Sequence, residues 1–333
     1  MHEPVGILGS GRWGMALARL AADAGRDVMV FMRDPDHAQA LNDTNQAAHQ
    51  WPGHDFPAAV RATANLADLA AFARFLLMAV PSHAFRGAAS ALGAHVRGDH
   101  IIVHTARGIE AGTHRRMSDI LREETPVKRL GALSGPVAPG EVMAGQPAGA
   151  VVGARFPEVV ARTQAALAGP GFRVYGSSDL AGVEIAGALN NVVAVCAGVL
   201  EGVGLGAGTR AMLITRGAVE IRRLGLALGA APETFSGLAG IGDLMVACSS
   251  EHSIDYQVGR RLASGEPLDR ILASLTGASE GVRTASAAHA MARSLGIDMP
   301  IVHAVYSMLH QNADPAVLRD LLMARSARYE ADK

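Results

Sequence analysis

Lysine is nearly missing from this chain: Lys128 and Lys333 are the only two, and every other residue in the Lys+Arg total is arginine. An active site built on a lysine amine is therefore close to excluded. Cysteine is just as scarce, with Cys196 and Cys248 alone. That is too few for a disulfide framework, and the spacing suggests no zinc site, so no metal is expected and a reducing cytoplasm fits best. Aromatics make up 4% of the 333 residues, which together with abundant Ala and Gly favours closely packed helices over a β-sandwich. The formal net charge of -1 gives no reason to expect nucleic acid or an acidic membrane as partner, and points to a small molecule instead. No uncharged apolar run reaches the roughly 18 to 20 residues that span a bilayer. The longest, around Leu189 to Leu200, reads as a buried helix, and the first residues run straight into an apolar strand without the pattern of a signal peptide.

What is present divides into two halves, as the length also suggests. Val5 to Leu8, Asp27 to Met32, Phe75 to Val80, His100 to His104, Arg129 to Leu133, Ala150 to Val152 and Phe172 to Tyr175 read as strands. Helical periodicity lies between them, as at Met15, Leu17, Leu20, Ala21 and Ala24. This alternation predicts an α/β fold, a Rossmann-type doubly wound sheet. From Asp179 onward strand signals stop, and helical stretches follow, broken by glycine turns at Gly202 to Gly208 and Gly237 to Gly242. The expected domains are a dinucleotide-binding unit over 1–177 and an all-helical substrate unit over 178–333, closely packed with a cleft between them.

Gly9-Ser10-Gly11-Arg12-Trp13-Gly14 is a GxGxxG that follows an apolar strand and opens an amphipathic helix. In that position the first glycine permits the tight turn, the second lets backbone approach a pyrophosphate, and the third allows close helix packing, with the helix N-terminal amides facing the phosphates. NADP or NAD is the expected cofactor. At the tip of the second strand, Arg33 would accept a 2′-phosphate and leans the reading towards NADP, whereas Asp34 could instead bind the ribose hydroxyl of NAD. Pro81 and His83, after the third of these strands, are expected beside the adenosine or ribose, with a surface or capping role for His83 as the alternative.

The chain resembles the NAD(P)-dependent glycerol-3-phosphate dehydrogenases from about Val5 to about Leu322. The similar stretches are Gly9 to Ala18, Pro81-Ser82-His83, Arg107-Gly108-Ile109-Glu110, Ser134-Gly135-Pro136, Ile214-Thr215-Arg216-Gly217, Gly240-Ile241-Gly242-Asp243-Leu244 and Glu280-Gly281. The resemblance implies a two-domain, dimeric dehydrogenase that interconverts glycerol 3-phosphate and dihydroxyacetone phosphate, with Glu280 approaching the cofactor from the second domain. It also implies where this chain departs. The position of the family's catalytic lysine holds Asn190, followed by a matching Asn191, and a second family lysine near the nicotinamide is Arg107 here. The Arg-Asn pair of the family's phosphate clamp aligns with Ile254 and Asp255, a nearby Thr with Ala247, and a glycine-turn Asn with Gly208.

These departures converge on one pocket and alter its chemistry. Ketone reduction needs a group that stabilises and protonates the developing alkoxide, a role worth roughly 10² to 10⁴ in rate. Asn190 donates a hydrogen bond but not that proton, which leaves His104 and His83 as candidate acids and Arg107 as an electrostatic partner. Ile254 removes attraction for a phosphate, and Asp255 would repel one, while Arg210 supplies some positive charge. Asp243 is read either as a site residue or as a simple helix cap. Three functions stay open: a dehydrogenase of a small hydroxy or keto substrate using Arg107, Asn190, Asn191, Arg210 and Asp243; an imine or amine-type reductase in which Asp255 and Glu251 hold a cation; and a non-catalytic NAD(P)-binding homologue.

Overall fold

The computed structural model describes residues 3–315; Lys333 and the end of the resemblance at Leu322 lie outside them. The first half alternates strand and helix throughout. Its elements are β1 (Val5–Leu8), α1 (Arg12–Asp23), β2 (Val28–Phe31), α2 (Pro35–Thr44), β3 (Val60–Thr63), α3 (Leu66–Phe72), β4 (Phe75–Met78) and α4 (Ser82–Gly93). They continue with β5 (Ile101–His104), α5 (Met117–Glu124), β6 (Arg129–Ser134), α6 (Pro139–Met143), β7 (Ala148–Ala154), α7 (Pro157–Leu167) and β8 (Phe172–Ser177). The strands form one eight-stranded sheet in the order β3-β2-β1-β4-β5-β6-β7-β8. Every neighbouring pair is parallel except β6 with β7. Because β1, β4 and β5 are buried on both faces, they are continuous apolar runs rather than alternating ones, apart from His104 at the end of β5. The parallel register lines up the carboxyl ends of β1, β2, β4 and β5, and reversal of strand order between β1 and β4 opens a crevice there.

β3 was not expected from the sequence. It is an edge strand of four residues whose pattern carries an exposed Arg61, too short and too polar to stand out, and it exists because β2 offers it a free edge.

The second half is helical among the described residues: α8 (Leu180–Gly202), α9 (Ala207–Ala227), α10 (Asp243–Ala247), α11 (Ile254–Ala263), α12 (Leu268–Ser274), α13 (Glu280–Leu295) and α14 (Pro300–His310). The turn expected at Gly237 to Gly242 is instead wound into a widened helical turn, Leu238–Gly242, running directly into α10. α8 is the axis of this half. It is long and apolar enough to cross a membrane, yet its apolar window is wholly buried by the helices around it. Glycines allow that enclosure: a side chain at Gly198 would run into the Tyr256 carbonyl of α11, and one at Gly259 into the Val195 carbonyl of α8. The abundance of Ala and Gly thus sets the helix spacing, because backbones approach only where side chains are small.

Candidate active site

A cleft of about 960 Å³ opens at the carboxyl ends of the strands, lined from both halves of the chain. All the residues expected to bind cofactor border it: Gly9, Ser10, Gly11, Arg12, Trp13, Gly14, Arg33, Pro81, His83, Arg107 and Glu280. The three glycines have distinct causes. Gly9 has φ +118, a left-handed conformation that costs other residues strain, and a side chain there would strike the Ala79 backbone. At Gly14 a side chain would collide with the Gly9 carbonyl, so the turn and the first helix close on each other. Gly11, by contrast, faces open space, which lets a pyrophosphate reach the backbone. No side chain caps α1 at Gly11, so its first amides are left for an anion. The cleft therefore fits a dinucleotide on the chemistry of its own donors.

The start of α1 is fixed from outside. Trp51 donates its indole N–H to the Arg12 carbonyl at 3.1 Å, and the Arg12 guanidinium stacks over the same ring at 4.3 Å. Arg33 borders the cleft while Asp34 is turned away, accepting from the Asp36 amide at 2.9 Å as the N-cap of α2. His83 is exposed on the cleft wall.

At the inner end of the cleft the two halves are stitched together. Glu280, the first residue of α13, accepts from the Ser82 amide at 2.9 Å and from the Ser82 hydroxyl. Since Pro81 offers α4 no side-chain cap, a carboxylate from the other half supplies it. Asn191 donates to the Arg107 carbonyl at 3.0 Å and so positions that residue from α8. Arg107 in turn donates through Nη1 to Asp243 Oδ1 at 2.7 Å, and Asn190 Nδ2 donates to the other oxygen, Oδ2, at 3.0 Å. Asn190 shares its amide with the carbonyls of Ala239 (2.9 Å) and Gly240 (3.2 Å), which fastens the widened turn to α8. Asp243 is fully enclosed; burial pushes its carboxyl above the usual range, opposed by Arg107 and by the Asn190 hydrogen bond. The Arg107 guanidinium is held charged chiefly by Asp243.

Two hydroxyl or amide oxygens at this end have no partner. Ser134, at the end of β6, borders the cleft and its Oγ is buried without a hydrogen bond; Asn190 Oδ1 is also buried without one, but Asn190 does not border the cleft. Ser134 Oγ lies 2.7 Å from where a side chain on Gly187 would begin, and Arg107 Cγ lies 3.6 Å from the same point. Gly187 thus lets the Ser134 hydroxyl and the Arg107 side-chain stem pack directly against α8. Ser134 was visible in the sequence only as part of a matching motif, because nothing in Ser-Gly-Pro indicates an unpaired hydroxyl.

Five expectations are corrected by the geometry. His104 does not face the cleft: it is buried, with Nε2 3.1 Å from Glu184 Oε1 and its ring edge-on to Phe85. The same glutamate accepts from the Ser118 amide and hydroxyl at 2.7 Å each and pairs with Arg116. Burial alone would raise the Glu184 carboxyl, but these partners, His104 first, hold it below its usual range. His104 is a tie between β5, α5 and α8 and no proton donor to a substrate.

Asp255 is likewise no free repelling charge, since it accepts from the Ser279 hydroxyl and from the Gly281 amide at 2.9 Å, bracing the start of α13. Burial lifts its carboxyl to about 6. Glu251 is exposed, so the pair imagined to hold a cation is not assembled. Arg210 does not border the cleft and instead donates to the Tyr256 hydroxyl at 2.9 Å, 3.6 Å from Glu201. Ile254, aligned with the clamp arginine and expected at the substrate site, does not border the cleft; its Cδ1 lies 2.7 Å from where a side chain on Gly277 would start.

Comparison with known proteins follows the same division of the chain. Residues 4–160 match the family described as NAD-dependent glycerol-3-phosphate dehydrogenase N-terminus, and residues 179–320 match its C-terminus. A glycerol-3-phosphate dehydrogenase [NAD(P)+] of Desulfitobacterium hafniense is 38% identical over 329 residues, covering 99% of this chain and 93% of the relative. One from Nitratidesulfovibrio vulgaris is 38% identical over 98% of this chain and 99% of its own length. The crystal structure of glycerol-3-phosphate dehydrogenase from Coxiella burnetii superposes with a TM-score of 0.91 at 30% identity, covering 97% of this chain and 99% of that one.

Proposed function

This chain belongs to the NAD-dependent glycerol-3-phosphate dehydrogenase family, and we propose that it moves a hydride between NADP and a small hydroxy or keto substrate built on the glycerol 3-phosphate/dihydroxyacetone phosphate frame. It is an NAD(P)-dependent oxidoreductase acting on a CH–OH group. The observation that carries the substrate reading is the Arg107 guanidinium, which borders a cleft fit for a dinucleotide and is held from behind by buried Asp243 and Asn190. That end is lined by small residues such as Ala106, Ser134, Gly135 and Ala278, so no bulky side chain fills it, which speaks against a cofactor-binding protein without a reaction.

The bound dinucleotide supplies or accepts the hydride. Arg107 donates to the substrate oxygen and stabilises charge as the carbonyl becomes an alkoxide, an arrangement that works best when the donor is fixed beforehand. Asp243 fixes it, and Asn190 fixes Asp243. A guanidinium does not give up its proton, so the alkoxide takes its proton from water. The missing acid lowers the rate by roughly 10² or more against a site that has one. Arg33 at the cleft edge, with Asp34 committed to capping α2, supports NADP over NAD. A cytoplasmic homodimer is proposed alongside it, as the resemblance implies; the two cysteines, Cys196 and Cys248, are both unpaired and buried, in keeping with a reducing compartment.

The test follows absorbance at 340 nm with NADPH and either dihydroxyacetone phosphate or dihydroxyacetone. Steady oxidation with one of them supports the reading. Tight cofactor binding with no turnover of both would sink it.

A further inference from the structure

One face of α8 runs along the segment that carries Arg107. Glu184, Gly187 and Asn191 are spaced by three and four residues, so they lie in a row on the helix. Each of them meets the chain between His104 and Ser118. Asn191 donates to the Arg107 carbonyl at 3.0 Å, and a side chain on Gly187 would begin 3.6 Å from Arg107 Cγ. Glu184 holds the segment at both ends. Before it, at the end of β5, His104 Nε2 lies 3.1 Å from Glu184 Oε1. After it, at the start of α5, the Ser118 amide and hydroxyl donate to the same carboxylate at 2.7 Å each, with Arg116 Nη1 at 3.4 Å. One buried carboxylate therefore closes the loop over 105–116 at its base. Away from α8 the loop is gripped by Arg86, which donates to both Glu110 oxygens at 2.8 and 2.7 Å. His104 Nδ1 has no hydrogen-bond partner among the described residues, so the ring is held through Nε2 alone.

We infer that His104 and Glu184 are positioning residues for the reaction: they fix where the loop between β5 and α5 sits along α8, and so where Arg107 presents its guanidinium to the cleft. Neither borders the cleft, so both act through Arg107 and touch no substrate. A loop whose two ends are tied to one point has given up most of its freedom before any ligand arrives. That suits a donor whose effect depends on being in place before charge develops. Asn191 and Asp243 then find Arg107 already within reach. If the β5 end slips, the guanidinium moves with it, and a displacement of about 1 Å costs on the order of 10² in rate. The inference rests on the reading of Arg107 as the group that meets the substrate oxygen.

The test replaces His104 in the full-length protein, since Glu184 keeps its Ser118 and Arg116 partners in that variant. His104→Leu removes the donor and still fills space against Phe85. Assayed with NADPH and dihydroxyacetone phosphate well below its melting temperature, it should lose roughly tenfold or more in kcat, with NADPH affinity measured by fluorescence unchanged. His104→Gln, whose amide nitrogen reaches the place of Nε2, should recover most of that loss. Amide hydrogen exchange should quicken over 105–116 in the Leu variant and stay as in the wild type over 9–14. A Leu variant with wild-type kcat or wild-type exchange over 105–116 overturns the inference, as does a Gln variant as slow as the Leu one. Arg107→Ala separates this from the reading beneath it. An inactive Arg107→Ala beside a fully active His104→Leu removes the inference alone, whereas an active Arg107→Ala removes both.

Discussion

Asn190 and Asp243 meet in the interior through a single 3.0 Å hydrogen bond, Nδ2 to Oδ2, and that bond decides how Arg107 is presented to the cleft. The amide holds a buried carboxylate that would otherwise have one oxygen unsatisfied, and it does so without adding charge or a labile proton. Asn190→Lys places an ammonium beside Asp243 and restores an acid near the substrate oxygen. Ketone reduction should gain on the order of 10² in kcat, with a new basic limb in its pH profile. An unchanged kcat would mean that protonation does not limit turnover.

Arg107→Ala is expected to abolish measurable reduction and to destabilise the fold by up to about 3 kcal/mol, discounted from the buried-pair range because the arginine is partly exposed while Asp243 is not. Denaturant unfolding reads the second effect separately from the first. A variant with full stability and no activity would place Arg107 in catalysis alone.

Arg33→Ala should raise the KM for NADPH by about tenfold or more and leave that for NADH nearly unchanged, since only the 2′-phosphate distinguishes them. Parallel losses for both cofactors would show that Arg33 does not read that phosphate.

Glu220 gives a pH dependence of stability unrelated to turnover. From α9 it accepts from the Ile301 amide (2.9 and 3.0 Å) and the Val302 amide (3.3 Å) at the start of α14, and burial raises its carboxyl to about 7 from an ordinary 4.5. Between those values the unfolded chain has released the proton and the folded one retains it. Stability therefore falls as pH rises from about 4.5 to 7 and then levels, by an amount on the order of 3 kcal/mol. Melting temperatures across that range should show the slope in the wild type and a clearly smaller one in Glu220→Gln, the remainder belonging to groups such as Asp255. A Gln variant with the same slope would assign the effect to another group.

The cofactor half was legible because its signals are local. A strand, a GxGxxG and a helix in immediate succession state both a fold and a ligand, and the glycines are required by backbone geometry at Gly9 and Gly14. β3 escaped because an edge strand of four residues is made by its neighbour's free edge, which no local pattern records. The substrate site was legible in its residues but not in their directions. His104 and Asp255 were read as groups facing a ligand, yet each is taken up by a partner distant in sequence, Glu184 for the first and Ser279 with Gly281 for the second.

The sequence by itself determined the two-part architecture, the dinucleotide turn and the absence of lysine from the place where an acid would act. Those depend on residue identity and short spacing. Tertiary structure alone decided that Asn190 holds Asp243, that Glu280 caps α4 from the other half and that Ser134 is left unpaired at the inner end of the cleft. Each is a contact between elements far apart in the chain, and a buried polar atom acquires its role from the partners that packing brings within hydrogen-bond reach.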